Sequence, residues 1–199
     1  MPAEGVRTRR AYFDCRYGQL HVRTAFPTTG GFDEQVTLFC VHHDQSSSRA
    51  FARFLPEIGD VRSVYAPDLP GLGESDGSPS SSVAEAAGAM SDLADDLRLR
   101  QIDVLGVYTG ALVALDLAAA RAELVRRLVL VGVPSVEALK TIRQPTLVMR
   151  AQLEEEAGVA RLKAALPNGK FVDIADYAGD LFDAAPKTLA RQIGEFLTG

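Results

Sequence analysis

The chain has 199 residues, 47% of them hydrophobic and 24% charged, and a net charge of −5. That length fits one domain spanning 1–199, with a core large enough to bury roughly 70% of the unfolded surface. The acidic balance argues against nucleic acid or an anionic membrane as a partner. No apolar run reaches membrane-spanning length and the N-terminus lacks a signal peptide's apolar stretch; with only two cysteines, Cys15 and Cys40, a reduced, cytoplasmic setting is expected.

In chain order, residues 1–10, including the basic "RTRR" at Arg7 to Arg10, are expected to form a flexible N-terminal segment. "AYFDCR" and "QLHVRTA" flank Tyr17-Gly18 and alternate with period two, which predicts an antiparallel hairpin. "VTLFCV" (36–41) reads as a buried strand, and "SRAFARFLPEI" places Phe51, Phe54 and Leu55 at helical spacing. "VRSVYAPD" is the next strand; a Gly-, Ser- and Pro-rich rim loop (70–82) and an Ala-rich helix to about Leu99 follow. "IDVLGV" leads into a helix at 110–122, "VRRLVLVGVP" into a short connector, "PTLVMRA" into a helix at 156–166, and "KFVDIAD" into a C-terminal helix ending near Phe196. This alternation predicts an α/β fold: a mostly parallel sheet of about eight strands, opened by the N-terminal antiparallel hairpin, with helices on both faces.

Four landmarks in this order resemble the α/β-hydrolase superfamily: "VHHDQSSSRAF", "PDLPGLGESD", "LGVYTGA" and "PTLVMRA". The resemblance covers nearly the whole chain. It implies a Gly-x-nucleophile-x-Gly elbow after the fifth strand, matched by Gly106 and Gly110. Many relatives insert a helical cap where this chain has only "SVEALKTIRQ", so a capless core with an open rim is expected.

The resemblance also marks three departures. Tyr108 stands at the nucleophile position, and a phenol with a reference pKa near 10 is only about one part in a thousand ionised at neutral pH. Asp180 stands where the resemblance implies the catalytic histidine, and no histidine follows His43. The usual His-Gly after the third strand is His42-His43, which puts Asp44 at the position whose backbone N–H would bind the developing oxyanion. A carboxylate there opposes acyl transfer, because like charges about 4 Å apart cost roughly 4 kcal/mol at an effective dielectric of 20.

Thr109 lies one residue past the apex, where a hydroxyl more often serves a helix start than attacks. Glu154, which the resemblance offers as the acid after the seventh strand, has no histidine to orient. Adjacent His42 and His43 point to opposite sides and lack a clear third ligand, so no metal site is expected. Neither "GLGESDG" nor "GVYTG" supplies a dinucleotide-binding loop, and no cofactor is expected. His21 reads as a structural strand residue, Ser46 to Ser48 as helix-capping residues, and Asp68 and Ser75 as fixing the rim loop, with Asp68 also a candidate ligand contact.

The expected site is a rim pocket in which Tyr108, His42 or His43, Asp180 and Tyr177 converge beyond the strands' C-terminal ends, with Asp44 and Thr109 alongside. The leading expectation is a family homologue that has lost Ser-His-acid hydrolysis and binds a small molecule or performs acid/base chemistry through Tyr108 and a histidine. One alternative is an esterase or thioesterase using Thr109 with His42 or His43. Another is an interaction module whose open rim meets a second subunit, as in a homodimer.

Overall fold

The structure is a computed structural model that describes residues 5–28, 35–132, 136–151, 156–174 and 180–199. β1 (Val6–Cys15) and β2 (Gly18–Pro27) form an antiparallel hairpin closed at Arg16 and Tyr17, with Cys15 opposite Gly18. The other strands are β3 (Thr37–Val41), β4 (Val64–Pro67), β5 (Ile102–Val107), β6 (Val125–Val131), β7 (Thr146–Ala151) and β8 (Lys170–Ile174). They join the hairpin in one eight-stranded sheet of order β1-β2-β4-β3-β5-β6-β7-β8. β2 meets β4 antiparallel, and every later pairing is parallel. The expected α/β architecture is therefore the observed one.

The helices are α1 (Leu55–Ile58), α2 (Val83–Asp96), α3 (Thr109–Ala120), α4 (Val136–Leu139), α5 (Glu156–Ala165), α6 (Leu181–Ala184) and α7 (Pro186–Thr198). Strand alternation divides the sheet's apolar residues between two cores. Val22, Phe39, Val104 and Leu128 pack with α2 and α3 on one face; Leu38, Leu105, Val129 and Met149 pack with α1 and α7 on the other. Because the central strands are buried on both faces, they read as continuous apolar runs.

Two local readings change. Residues 6–10 are not a flexible tail: the "RTRR" run lies within β1, paired residue for residue with β2 from Val6↔Pro27 to Arg10↔Arg23. The ten-residue complementarity of the hairpin, invisible in a short basic run, orders it. "SRAFARFLPEI" is not one helix but a 3-10 turn, Ser48–Phe51, followed by α1. Pro56 has no N–H to give a preceding carbonyl, so it is accommodated in the first turn of a new helix. Phe51, Phe54 and Leu55 are nonetheless all buried, and Ser47 caps the 3-10 turn.

Between β6 and β7 the described residues hold only the four-residue α4, so no cap covers the C-terminal ends of the strands.

Candidate functional site

The chain leaves β3 toward β4 on one side of the sheet, then crosses to β5 on β3's other side. Loops following β3 and β5 thus diverge, and the crevice they leave is where open α/β sheets accept ligands.

Tyr108 occupies this crevice at the junction of β5 and α3, with φ 49° and ψ −110°. Such a backbone costs a non-glycine residue of order 1–3 kcal/mol and persists only where its surroundings enforce it. The surroundings do so. The Tyr108 N–H donates to the Val131 carbonyl and its own carbonyl accepts from Ala111 N–H, both at 2.9 Å. A Cβ on Gly106 would lie 2.6 Å from the Ala111 Cα, and one on Gly110 would lie 2.5 Å from the His42 carbonyl oxygen. Strand, turn and helix therefore approach more closely than any side chain at those glycines permits. The phenol ring itself is 62% exposed and lies over Gly132 at the end of β6.

The two histidines after β3 behave differently. His42 is fully buried; its Nδ1 donates to the His43 carbonyl at 2.7 Å and its Nε2 accepts from Leu69 N–H at 3.0 Å. Burial pushes its pKa below the ordinary histidine value, against the opposing pull of the His43 carbonyl. With both nitrogens engaged by backbone, His42 joins two rim segments and has no lone pair free to take a substrate proton. His43 is half-buried, its Nδ1 against the Asp44 carbonyl, and its ring meets that of Tyr108 edge-on at 6.0 Å and 84°.

Thr109 does not face a histidine. Its hydroxyl donates to Asp44 Oδ1 at 2.8 Å, while its Oγ1 accepts the Asp44 N–H at 2.6 Å. The sequence placed Asp44 and Thr109 at the ends of separate strands; the pairing depends on β3 and β5 being neighbours.

Tyr108, His42, His43 and Asp180 line one cavity of about 240 Å³, whose remaining walls include Phe51, Val107, Val131 and Phe182. Phe182 packs edge-on against both Phe51 and Phe54, each at 5.0 Å between centroids. Offset and edge contacts of this kind add about 0.5–1.5 kcal/mol each beyond burial, enough to anchor a helix as short as α6. Asp180 is the cap of that helix, accepting Phe182 N–H at 2.9 Å, and is exposed. These apolar walls went unmarked in the sequence because their residues come from four separate segments.

Asp68 is not part of the cavity wall. Only 2% exposed, its carboxylate accepts from Ser48 N–H at 2.5 Å, Glu74 N–H at 2.9 Å and His21 Nδ1 at 2.9 Å. Burial acts to raise its pKa, but those hydrogen bonds outweigh it and the carboxyl lies below the usual range. Ser75 completes the knot, donating to the Asp68 carbonyl and accepting from His21 N–H. Asp68 thus holds the rim loop from beneath. Tyr177 and Glu154 lie outside the described residues.

Fold and crevice together define a class of protein, and comparison with known proteins supplies its family. The alpha/beta hydrolase family model matches residues 38–198, and the chain belongs to that family. Among solved structures, the chain is similar to a predicted CIB-like hydrolase from Thermoplasma acidophilum, with TM-score 0.82 and 17% identity, over 97% of this chain and 99% of that one. It is also similar to the naproxen esterase of Bacillus subtilis, with TM-score 0.82 and 15% identity over 96% and 92% of the two chains. A haloalkane dehalogenase loop variant from Bradyrhizobium elkanii gives TM-score 0.78 and 14% identity over 97% of both. At these identities the likeness is one of fold. A comparison with curated proteins finds no match.

Proposed function

We propose that this chain binds a small, largely apolar molecule at the Tyr108 cavity and has given up Ser-His-acid hydrolysis. The observation that carries this reading is the two-way hydrogen bond between Thr109 and Asp44. In a working relative the backbone N–H after the third strand is held ready for an oxyanion. Here the matching Asp44 N–H is already taken by Thr109 Oγ1, and the Asp44 carboxylate adds negative charge beside it. Tyr108 fills the elbow apex with a phenol, and Asp180 faces the cavity as a helix cap where a general base would stand.

What remains suits recognition. An engineered apolar cavity of about 150 Å³ takes up benzene, so about 240 Å³ accommodates a single substituted ring. Phe51, Val131 and Phe182 supply apolar walls, while the Tyr108 hydroxyl, His43 and Asp180 offer polar contacts at the mouth. His43 and Tyr108 meet edge-on, an arrangement suited to packing a ligand more than to passing a proton between them.

A thermal-shift screen of monocyclic aromatics, with 4-nitrophenol as the reference probe, tests the reading. A native-state binder raises Tm in proportion to RT ln(1 + [L]/Kd). We expect a saturable rise that is lost in Tyr108→Ala, a change at an exposed side chain that leaves the core intact. The absence of any saturable response across the screen would count against a binding pocket. Labelling of the wild-type chain by a fluorophosphonate, abolished in Thr109→Ala, would instead support a hydrolase acting through Thr109.

A further inference from the structure

A second recess lies away from the Tyr108 cavity, between the hairpin and α1. It has a volume of about 180 Å³, its wall includes Thr8, Arg10, Arg23 and Leu55, and none of the described residues lining it is acidic. That is unusual for a chain with a net charge of −5.

Register explains how the basic groups come together. Arg10 and Arg23 are directly opposite in the β1–β2 ladder, so their side chains leave the same face. Thr8, two residues before Arg10, shares that face, whereas Arg9 belongs to the opposite pleat. Like charges directly opposite on a ladder are unfavourable unless something neutralises them. Elsewhere the chain supplies that neutralisation from within. Arg16 grips Asp92 with Nε and Nη2 at 2.8 and 2.7 Å, and Arg126 grips Asp103 in the same manner at 2.9 and 2.7 Å.

Arg23 has no such partner among the described residues, and its Nε is buried without a hydrogen bond. Arg10 has one loose contact, with Glu74 at 3.9 Å, between side chains that are both more than half exposed. Contacts of that kind contribute little. The hairpin therefore holds two arginines directly opposite one another, neither of them matched bidentately by a carboxylate among the described residues.

We propose that this recess binds the phosphoryl dianion of a small molecule, with Arg10 and Arg23 as the charged clamp and the Thr8 hydroxyl as an additional donor. Two arginines that leave the same face and line one recess call for two negative charges on one group, and their planar forks match phosphoryl oxygens. Free phosphate and a phosphomonoester share this chemistry. The site stands independently of the reading given for the Tyr108 cavity.

The test titrates inorganic phosphate and, separately, phenyl phosphate into the full chain at pH 7.5, with ionic strength held constant by sodium chloride, and follows Tm. We expect saturable stabilisation, affinity at least tenfold weaker in Arg10→Gln and in Arg23→Gln, and a weaker response at pH 5, where the phosphoryl group is mostly a monoanion while arginine remains charged. Tighter binding of phenyl phosphate than of inorganic phosphate would assign the site to an ester, with Leu55 against the apolar part; the reverse order would assign it to the free ion. If Arg23→Gln fails to fold, Arg10→Gln decides alone, since its side chain is exposed. No saturation with either probe, an unchanged affinity in Arg10→Gln, or an equal response to chloride alone would overturn the proposal.

Discussion

The knot around Asp68 and the turn around Tyr108 are both reached from the C-terminal ends of central strands, yet they are built on opposite terms. Asp68 is buried and its carboxylate accepts three hydrogen bonds, including one from His21 on β2, the strand paired with β4. Tyr108 is exposed and carries an unfavourable backbone that its neighbours impose. The first region stores stability and the second consumes it. That division separates support from surface in this chain: the rim loop is held from beneath by the Asp68 network, and Asp68 does not line the Tyr108 cavity.

The largest effect should come from breaking the lower region. Asp68→Ala leaves two backbone N–H groups and the His21 ring without an acceptor, and removing one partner from a buried charged network costs about 3–5 kcal/mol. The urea midpoint should fall accordingly with an unchanged slope. A loss below about 1 kcal/mol would mean that the rim loop is held by something else.

The backbone vice around Tyr108 comes next. Gly110→Ala forces a methyl group against the His42 carbonyl, a contact with backbone that no rotamer change relieves. Overpacking of this kind costs about 1–3 kcal/mol, and the same unfolding measurement reads it.

Replacing the strained residue should have the opposite sign. Tyr108→Gly relieves a conformation that glycine adopts freely, net of glycine's greater chain entropy, and we expect stability to rise by about 1 kcal/mol while binding of the aromatic probe is lost. A destabilised Tyr108→Gly would show that the ring over Gly132 contributes more than the backbone costs.

The smallest expected effect is in the pH dependence. His42 has a depressed pKa in the fold, so the unfolded chain binds more protons just below the ordinary histidine value of 6.5. Its contribution to stability is full above 6.5 and declines as pH falls through that value toward the folded one. Asp68 acts in a lower window: its contribution is full above the ordinary aspartate value of 3.8 and is lost as pH falls below it toward the folded one. The slope of stability between pH 7 and 5 should therefore be shallower in His42→Gln, and the slope below pH 4 shallower in Asp68→Ala.

The fold was legible because it is written in local pattern: buried strands as apolar runs, the hairpin as two alternating segments, and the glycines at 106 and 110 as a demand for close approach. Tyr108, His43 and Asp180 could be brought to one rim because each directly follows a strand or precedes a late helix. Sidedness was harder. His42 and His43 are neighbours in sequence and both line the cavity, but only the fold shows that His42 has both ring nitrogens engaged by backbone while the His43 ring meets Tyr108 edge-on. The Thr109–Asp44 pair and the Arg10–Arg23 pair were hidden for a related reason, since each is a product of strand pairing. A chain read in order gives the contents of each strand end before it gives their neighbours.

The most direct test of the central claim, a retained pocket without hydrolysis, is multiple-turnover release of 4-nitrophenolate from 4-nitrophenyl acetate, an ester carrying the same ring as the reference probe. The account predicts a rate indistinguishable from buffer for the wild type. Sustained turnover above buffer that disappears in Thr109→Ala would contradict it, because the Thr109 hydroxyl would then be attacking rather than closing the Asp44 N–H.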